Sequence, residues 1–177
     1  FFNFSSYNGA TMSKARNCKY KINEQIVYPS QGVGKITDIV EKEFRENKFL
    51  YYVIYLHFSD MTVLVPVDKA DELGIRPIVS KQDAEKALQY ITEQHTTAPT
   101  DWKLRYQMNL DLLKKGSIFD ISTVVRSLYF RSKVKELPIL ERKLYEAALN
   151  LLQDEIACAL GKPKEEIAAV IREKLSD

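Results

Sequence analysis

The chain has 177 residues and a mass of 20.5 kDa, the size of one domain or of two small ones. Hydrophobic residues make up 45% and charged residues 28%, which excludes intrinsic disorder over most of the length. With 26 basic and 24 acidic side chains the net charge is +2. This balance excludes a protein whose whole surface coats nucleic acid through its charge. A local basic face that binds nucleic acid is still compatible with it.

The cysteines and the N-terminal residues exclude several further classes. Cys18 and Cys158 are far apart, and without a CxxC pattern or a Cys/His cluster we expect free thiols and no metal site. No apolar run reaches the ~18 residues that a membrane helix needs, and residues 1–11 do not resemble a signal peptide. We expect Met12 to be the natural start, residues 1–18 to be a disordered extension, and the protein to be cytoplasmic.

The first half of the chain has the pattern of short antiparallel strands. Apolar, β-branched and aromatic runs predict strands over 24–28, 34–44, 48–58 and 61–66, separated by turn sequences. Ile36 and Ile39 lie on opposite faces of the second strand, which indicates a bulge or strong bend. The third strand is continuously apolar and is expected to be covered on both faces. Four or five such strands predict a small curled sheet or barrel over residues 19–76.

From residue 80 onward the pattern is helical. Ser80 followed by Asp83 and Ser117 followed by Asp120 resemble capping boxes, and Gly116 and Gly161 are typical C-terminal stops. Helices are predicted from 81 to about 94, over 101–116 and 117–135, from 138 to 161, and after Pro163. We therefore expect an α+β protein, a β domain followed by a compact five-helix bundle over 80–177.

No pattern typical of an enzyme or of a cofactor site is present. There is no P-loop, dinucleotide-binding glycine pattern, HExxH or GxSxG sequence. The two histidines, His57 and His95, lie near no candidate nucleophile. We expect a protein that is not an enzyme and that needs no cofactor.

Basic side chains are concentrated between residues 101 and 135, where eight face only three acidic ones. The basic residues are Lys103, Arg105, Lys114, Lys115, Arg126, Arg131, Lys133 and Lys135. Residues 136–177 have the opposite balance, six basic against nine acidic. Such a segment is typical of phosphate contacts with nucleic acid, although composition alone favours a merely solvated helix surface.

The single tryptophan, Trp102, lies in the first turn of a helix within this basic segment. It can share a helix face with Tyr106 and Leu113, which favours a core position. It can also be an exposed aromatic wedge that enters a minor groove while Lys103 and Arg105 hold phosphates. The sequence alone leaves both interpretations open.

The ordered motifs of the chain resemble those of CarD/CdnL-type bacterial transcription regulators. The resemblance begins at the Y-P-x-x-G turn of residues 28–32, which transcription-repair coupling factor also has, and continues through M-T-V-L-V-P (61–66) and G-I-R (74–76). It resumes at P-T-D-W-K-L-R-Y (99–106), V-V-R-S-L (124–128) and E-R-K (141–143). It covers residues 19–161.

This resemblance implies a Tudor-like or SH3-like β domain that docks on the β subunit of RNA polymerase. It also implies a helical domain that contacts promoter DNA at the upstream edge of the melted region. The expected polymerase contacts are Lys42, Phe44, Thr62, Leu64 and Pro66. The expected DNA contacts are Trp102, Lys103, Arg105, Tyr106, Lys114 and Lys115.

At four positions the chain departs from the family pattern. Leu104 and Gln107 stand where the family has basic residues, which predicts weaker DNA binding unless Lys103, Lys114 and Lys115 compensate. Lys42 and Leu64 replace family arginines on the polymerase side.

The resulting hypothesis is a nucleoid-associated transcription regulator that stabilises the open promoter complex through sequence-independent minor-groove contact. An alternative is a protein–protein adaptor without DNA contact, in which Trp102 is buried.

Overall fold

The structure, a computed structural model, describes residues 18–45, 47–93 and 99–176. These residues form five strands followed by five helices, so the expected α+β class is confirmed. The strands are β1 (Gln25–Tyr28), β2 (Gly32–Phe44), β3 (Asn47–Leu56), β4 (Met61–Pro66) and β5 (Arg76–Pro77). The helices are α1 (Lys81–Tyr90), α2 (Trp102–Lys115), α3 (Ile118–Val134), α4 (Ile139–Leu160) and α5 (Lys164–Ser176).

The strands form one antiparallel sheet in the order β4-β3-β2-β1-β5. The expected bulge is present in β2, where the register with β3 shifts between Ile36 and Asp38. The shift lets Ile36 and Ile39 both be buried on the same side. Strands β4 and β5 are the edges of the sheet.

The core of the β domain lies on one face of this sheet. It contains Tyr20, Ile26, Ile36, Ile39, Tyr52, Ile54, Leu56, Val65, Ala70 and Ile75. Cys18, which the sequence pattern assigned to the N-terminal extension, packs against this core. The expectation that β3 is covered on both faces is wrong, because Phe49 is exposed and Tyr51, Val53 and Tyr55 are only half-buried.

The helices pack around a second core that includes Ile121, Val125, Leu128, Leu152 and Ile156. The capping residues act as the sequence predicts: Ser80 and Ser117 accept from the backbone N–H of Asp83 and Asp120. Gly116 ends α2 with φ +74°, a left-handed conformation that favours glycine. None of the helices in the described residues has the length and apolar composition needed to cross a membrane.

Helix α1 ends earlier than expected, at Tyr90. Arg126 of α3 donates from Nη1 to the Tyr90 carbonyl oxygen at 3.1 Å, and its guanidinium lies 4.2 Å from the centre of the Tyr90 ring. A cation on the last carbonyl stabilises a helix end, so α3 helps to stop α1. Residues 94–98, which include His95, lie outside the described residues.

The C-terminal segment is part of the folded bundle. Helix α5 buries Ile167, Ile171 and Leu175 in the helical core and packs against α4. The spacing of four residues between these positions explains why they share one face.

Candidate nucleic-acid interface and docking face

Trp102 is the first residue of α2, and its position is set by a local cap. The Asp101 side chain accepts from the backbone N–H of Lys103 at 2.9 Å, which fixes the start of the helix immediately before the tryptophan. Trp102 is 37% exposed and does not belong to the buried core of the bundle. The sequence leaves open whether Trp102 is a core residue or an exposed aromatic wedge. Its exposed fraction favours the exposed position at the helix start.

Arg105 does not lie where the sequence predicts. It was expected to hold phosphate, but it is only 2% exposed. Its Nε and Nη2 donate to Glu141 Oε1 and Oε2, each at 2.7 Å. Because the guanidinium is enclosed and paired, the expected phosphate contact is corrected to a structural role.

The third nitrogen of Arg105 holds the chain that leads into α2. Nη1 donates to the carbonyl oxygen of Pro99 at 2.6 Å, with a longer contact of 3.4 Å to that of Thr100. One side chain therefore joins three elements: α2, the first turn of α4 at Glu141, and the residues just before Trp102. A bidentate Arg–carboxylate pair has strict geometry, so it orients the first turn of α2.

The other predicted DNA residues do not form one cluster. Lys103 is exposed beside Trp102, and Tyr106 is half-buried against the helical core. Lys114 and Lys115 are exposed at the opposite end of α2, about 18–20 Å from Trp102 at 1.5 Å per residue. They do not share a compact surface with Trp102.

The structure instead brings other residues to the Trp102 end of the bundle. Helices α2 and α3 are joined through Gly116 and pack together, so the end of α3 lies near the start of α2. The Arg105–Glu141 pair brings the start of α4 to the same place. The exposed residues gathered there include, besides Trp102 and Lys103, the apolar and basic residues Leu104, Lys133, Val134, Lys135, Ile139, Leu140, Arg142 and Lys143. Asp101 and Glu136 are also exposed there, and Glu136 pairs with Arg142 at 2.8 Å.

This set, which we call the bundle tip, combines apolar side chains with more cations than carboxylates. Val134 and Ile139 are 79% and 70% exposed, which is unusual for large aliphatic residues. The sequence indicated the basic segment and the Gly116 turn. The pairing that joins α2 to α4 spans 36 residues, so local patterns could not reveal the tip.

Three of the residues expected to contact polymerase lie at alternate positions of β4, and a fourth lies on β2. Thr62, Leu64 and Pro66 pair with Tyr55, Val53 and Tyr51. Lys42 pairs with Phe49. Since alternate and cross-strand residues share a face, these four positions belong to one face of the sheet, opposite the core. The side chain of Phe44 lies outside the described part of the structure.

This outer face is apolar and adjoins a free strand edge. Leu64 is 44% and Phe49 39% exposed. Among the described strands, β4 pairs only with β3, which leaves its other edge open. An apolar face next to an unpaired edge can bind a partner both by side-chain packing and by strand addition.

Metal and thiol chemistry contribute little to either surface. In the ranges that the structure describes, no group of three or more His, Cys, Asp or Glu side chains could hold a metal ion. Cys18 and Cys158 are free thiols, and burial raises the pKa of each above its usual value.

Comparison with known proteins shows the family of the chain. The family model "CarD-like/TRCF RID domain" matches residues 20–79, and "CarD, C-terminal domain" matches residues 86–172. A protein of Bacillus subtilis (strain 168) named "Putative transcription factor YdeB" is 34% identical over 148 residues, which cover 84% of this chain and 97% of the relative.

The fold and both matched domains define a transcription regulator. The family is a family of transcription factors and not a known class of enzymes. The chain belongs to the CarD family.

Proposed function

We propose that this protein binds the β subunit of RNA polymerase through its β domain and stabilises the open promoter complex through its helical domain. The outer sheet face, with Lys42, Thr62, Leu64 and Pro66, and the free edge of β4 are the polymerase-binding surface. The helical domain then contacts the minor groove of promoter DNA at the upstream edge of the melted region. Such a protein works with polymerase on the bacterial nucleoid.

The single observation that carries this proposal is the state of Trp102. It is an exposed aromatic side chain at a helix start, held in place by the Arg105 hydrogen bonds and flanked by Lys103. An aromatic wedge can unstack a base step while nearby cations contact the backbone. The cationic and apolar side chains of the bundle tip support the same interpretation.

Binding to DNA is expected to be weak and independent of base sequence. The net charge is only +2, and two of the eight basic side chains between residues 101 and 135, Arg105 and Arg126, are buried. Phosphate contacts dominate such affinity, so fewer exposed cations mean weaker binding. Polymerase binding compensates by raising the local concentration of the helical domain at the promoter.

The test is the lifetime of open complexes formed by the cognate polymerase on a promoter with an unstable bubble. Wild-type protein is expected to lengthen the lifetime, and Trp102→Ala to lose most of the increase while binding polymerase normally. Met108→Ala is the matched control, since Met108 is also exposed on α2 but lies outside the bundle tip. Equal activity of Trp102→Ala and wild type would refute the wedge, and no effect of wild type would favour an adaptor without DNA contact.

A further inference from the structure

The two domains are joined by a partly buried ion pair between Arg76 and Glu155. Arg76 lies in β5, where it pairs with Val27 of β1, and Glu155 lies in α4. The guanidinium donates from Nη1 to Oε1 at 2.5 Å and from Nη2 to Oε2 at 2.8 Å. The Glu155 side chain is only 2% exposed, and Oε1 also accepts from the backbone N–H of Val79 at 3.3 Å.

The same arginine also holds the end of α2. Its Nη2 and Nε donate to the carbonyl oxygen of Gly116 at 2.7 and 3.1 Å. Gly116 is the C-cap of the helix whose first residue is Trp102. A cation at a helix C-terminus is also favoured by the helix dipole. Arg76 thus connects the sheet directly to the helix that presents the tryptophan.

The Y-P-x-x-G turn packs into this contact. A Cβ atom added to Gly116 would lie 3.0 Å from Pro29 Cβ, and one added to Gly32 would lie 2.9 Å from Leu151 Cδ2. Both glycines also have positive φ values, of +74° and +90°. Side chains at these positions would therefore separate the turn from the helices.

Helix α4 presents one stripe of residues to the β domain. Leu151, Glu155 and Cys158 are four and three residues apart, and so share a face. Leu151 lies against Gly32, Glu155 pairs with Arg76, and Cys158 Sγ donates to Gln25 Oε1 at 2.8 Å.

The same helix reaches from the domain contact to the bundle tip. Fourteen residues, about 21 Å of helix, separate Glu155 from Glu141, the partner of Arg105. A helix with a buried carboxylate near each end, each paired with an arginine of another element, can transmit a fixed orientation between the sheet and α2.

We propose that Arg76 and Glu155 are positioning residues that hold the two domains in one orientation and thereby set where Trp102 stands relative to the polymerase-binding face. The pair differs from both binding surfaces because Arg76 lies on β5, the sheet edge opposite β4, and Glu155 lies fourteen residues along α4 from Glu141 and the bundle tip. Its effect on Trp102 rests on the proposed function, whereas its effect on domain orientation does not.

The orientation is tested by residual dipolar couplings of the full chain in a weakly aligned solution. In wild type, couplings of both domains should fit one alignment tensor. Arg76→Ala/Glu155→Ala removes both partners and so leaves no unpaired buried charge. The couplings of its two domains should require separate tensors, while each domain keeps its own chemical-shift pattern. Asp154→Ala is the matched control, because Asp154 is the preceding residue of α4 and its partner, Lys164, lies within the helical domain.

The consequence for function is tested with the same three proteins. The double variant should bind the isolated polymerase β subunit and duplex DNA like wild type, yet lose most of the increase in open-complex lifetime. A single tensor in the double variant would overturn the proposal. Separate tensors with an unchanged lifetime would overturn the positioning of Trp102. If wild type itself leaves the lifetime unchanged, the proposed function fails, and the tensors alone decide the orientation.

Discussion

Arg105 and Glu141 form a bidentate ion pair in which both side chains are buried, with exposed fractions of 3% and 0%. The pair joins the first turns of α2 and α4, one turn after Trp102. Desolvation of two charges offsets much of their attraction, so such a pair contributes more to geometry than to stability. Removal of one partner should therefore destabilise the fold, whereas removal of both should change stability little. Neither change should remove a phosphate contact with DNA.

We expect Glu141→Ala to lower the free energy of unfolding by about 3–5 kcal/mol, because it leaves the Arg105 guanidinium buried without its partner. Arg105→Met/Glu141→Leu should be close to wild type, since both charges are removed and the volume is kept. Urea denaturation measures both. Glu136→Ala, which breaks the exposed pair with Arg142, is the control and should change little. A mild effect of Glu141→Ala would contradict the burial of this pair.

The salt dependence of DNA binding distinguishes a phosphate contact from a structural arginine. Lys103→Ala should reduce the slope of log K against log salt by about 0.9, the value for one phosphate contact on duplex DNA. Arg105→Met/Glu141→Leu should leave the slope unchanged, because the guanidinium is enclosed. A reduced slope in the double variant would restore Arg105 as a phosphate contact.

Replacing Leu104 by a basic residue should strengthen DNA binding. Leu104 is 53% exposed in the first turn of α2, so Leu104→Arg can reach phosphate without repacking the core. We expect tighter binding and a slope steeper by about 0.9. Ile22→Arg adds the same charge at an exposed site on the β domain and should have little effect. Equal gains in both variants would show that net charge alone, rather than position, determines affinity.

Leu64 tests the polymerase-binding face. A carboxylate there would be desolvated against the partner, so Leu64→Glu should weaken binding to the polymerase β subunit on the order of tenfold or more. Isothermal titration calorimetry measures the affinity. The control is Leu73→Glu, which changes a similarly exposed leucine outside the sheet. Unchanged affinity of Leu64→Glu would place the docking surface elsewhere.

Cys158 reports on the contact between the domains. Burial is the main cause of its raised pKa, and Glu155 and Asp154 raise the pKa further. Less thiolate is therefore present at neutral pH, and iodoacetamide should react slowly. Arg76→Ala/Glu155→Ala should accelerate alkylation of Cys158 but not of Cys18.

Asp154→Ala separates the two causes of that acceleration, because it removes a nearby carboxylate while the domain contact stays closed. If Asp154→Ala accelerates alkylation as much as the double variant does, charge alone accounts for the change and the domains have not separated.

Many elements of the fold could be predicted from local sequence. The caps at Ser80 and Ser117, the stop at Gly116 and the bulge near Ile36 depend on residues within one turn or one strand. Trp102 at the start of a helix follows from Asp101 in the same way. These features need no knowledge of distant residues, and the structure has each of them.

The two basic residues beside Trp102 show where this approach fails. Lys103 and Arg105 look equivalent in a charged segment, yet one is exposed and the other is buried. The difference depends on Glu141, 36 residues away, whose carboxylate compensates the buried guanidinium. No local pattern distinguishes a cation that will be paired from one that will face solvent.

The prediction drawn from the continuous apolar run of β3 is wrong for a related reason. The run suggested a strand covered on both faces, but the helical domain packs at the other end of the sheet, where Leu151 lies against Gly32 and Glu155 pairs with Arg76 of the edge strand β5. The outer face of β3 is thus left open beside Leu64 and Lys42.

By itself the sequence determined the class, the order of the two domains, the element types and the family motifs, because hydrophobic period and capping act over a few residues. Only the tertiary structure decided which cations are free, which face of the sheet is open, and that Arg76 joins the sheet to the helix of Trp102. Burial and ion pairing depend on residues far apart in the chain, and these meet only when the two domains pack together.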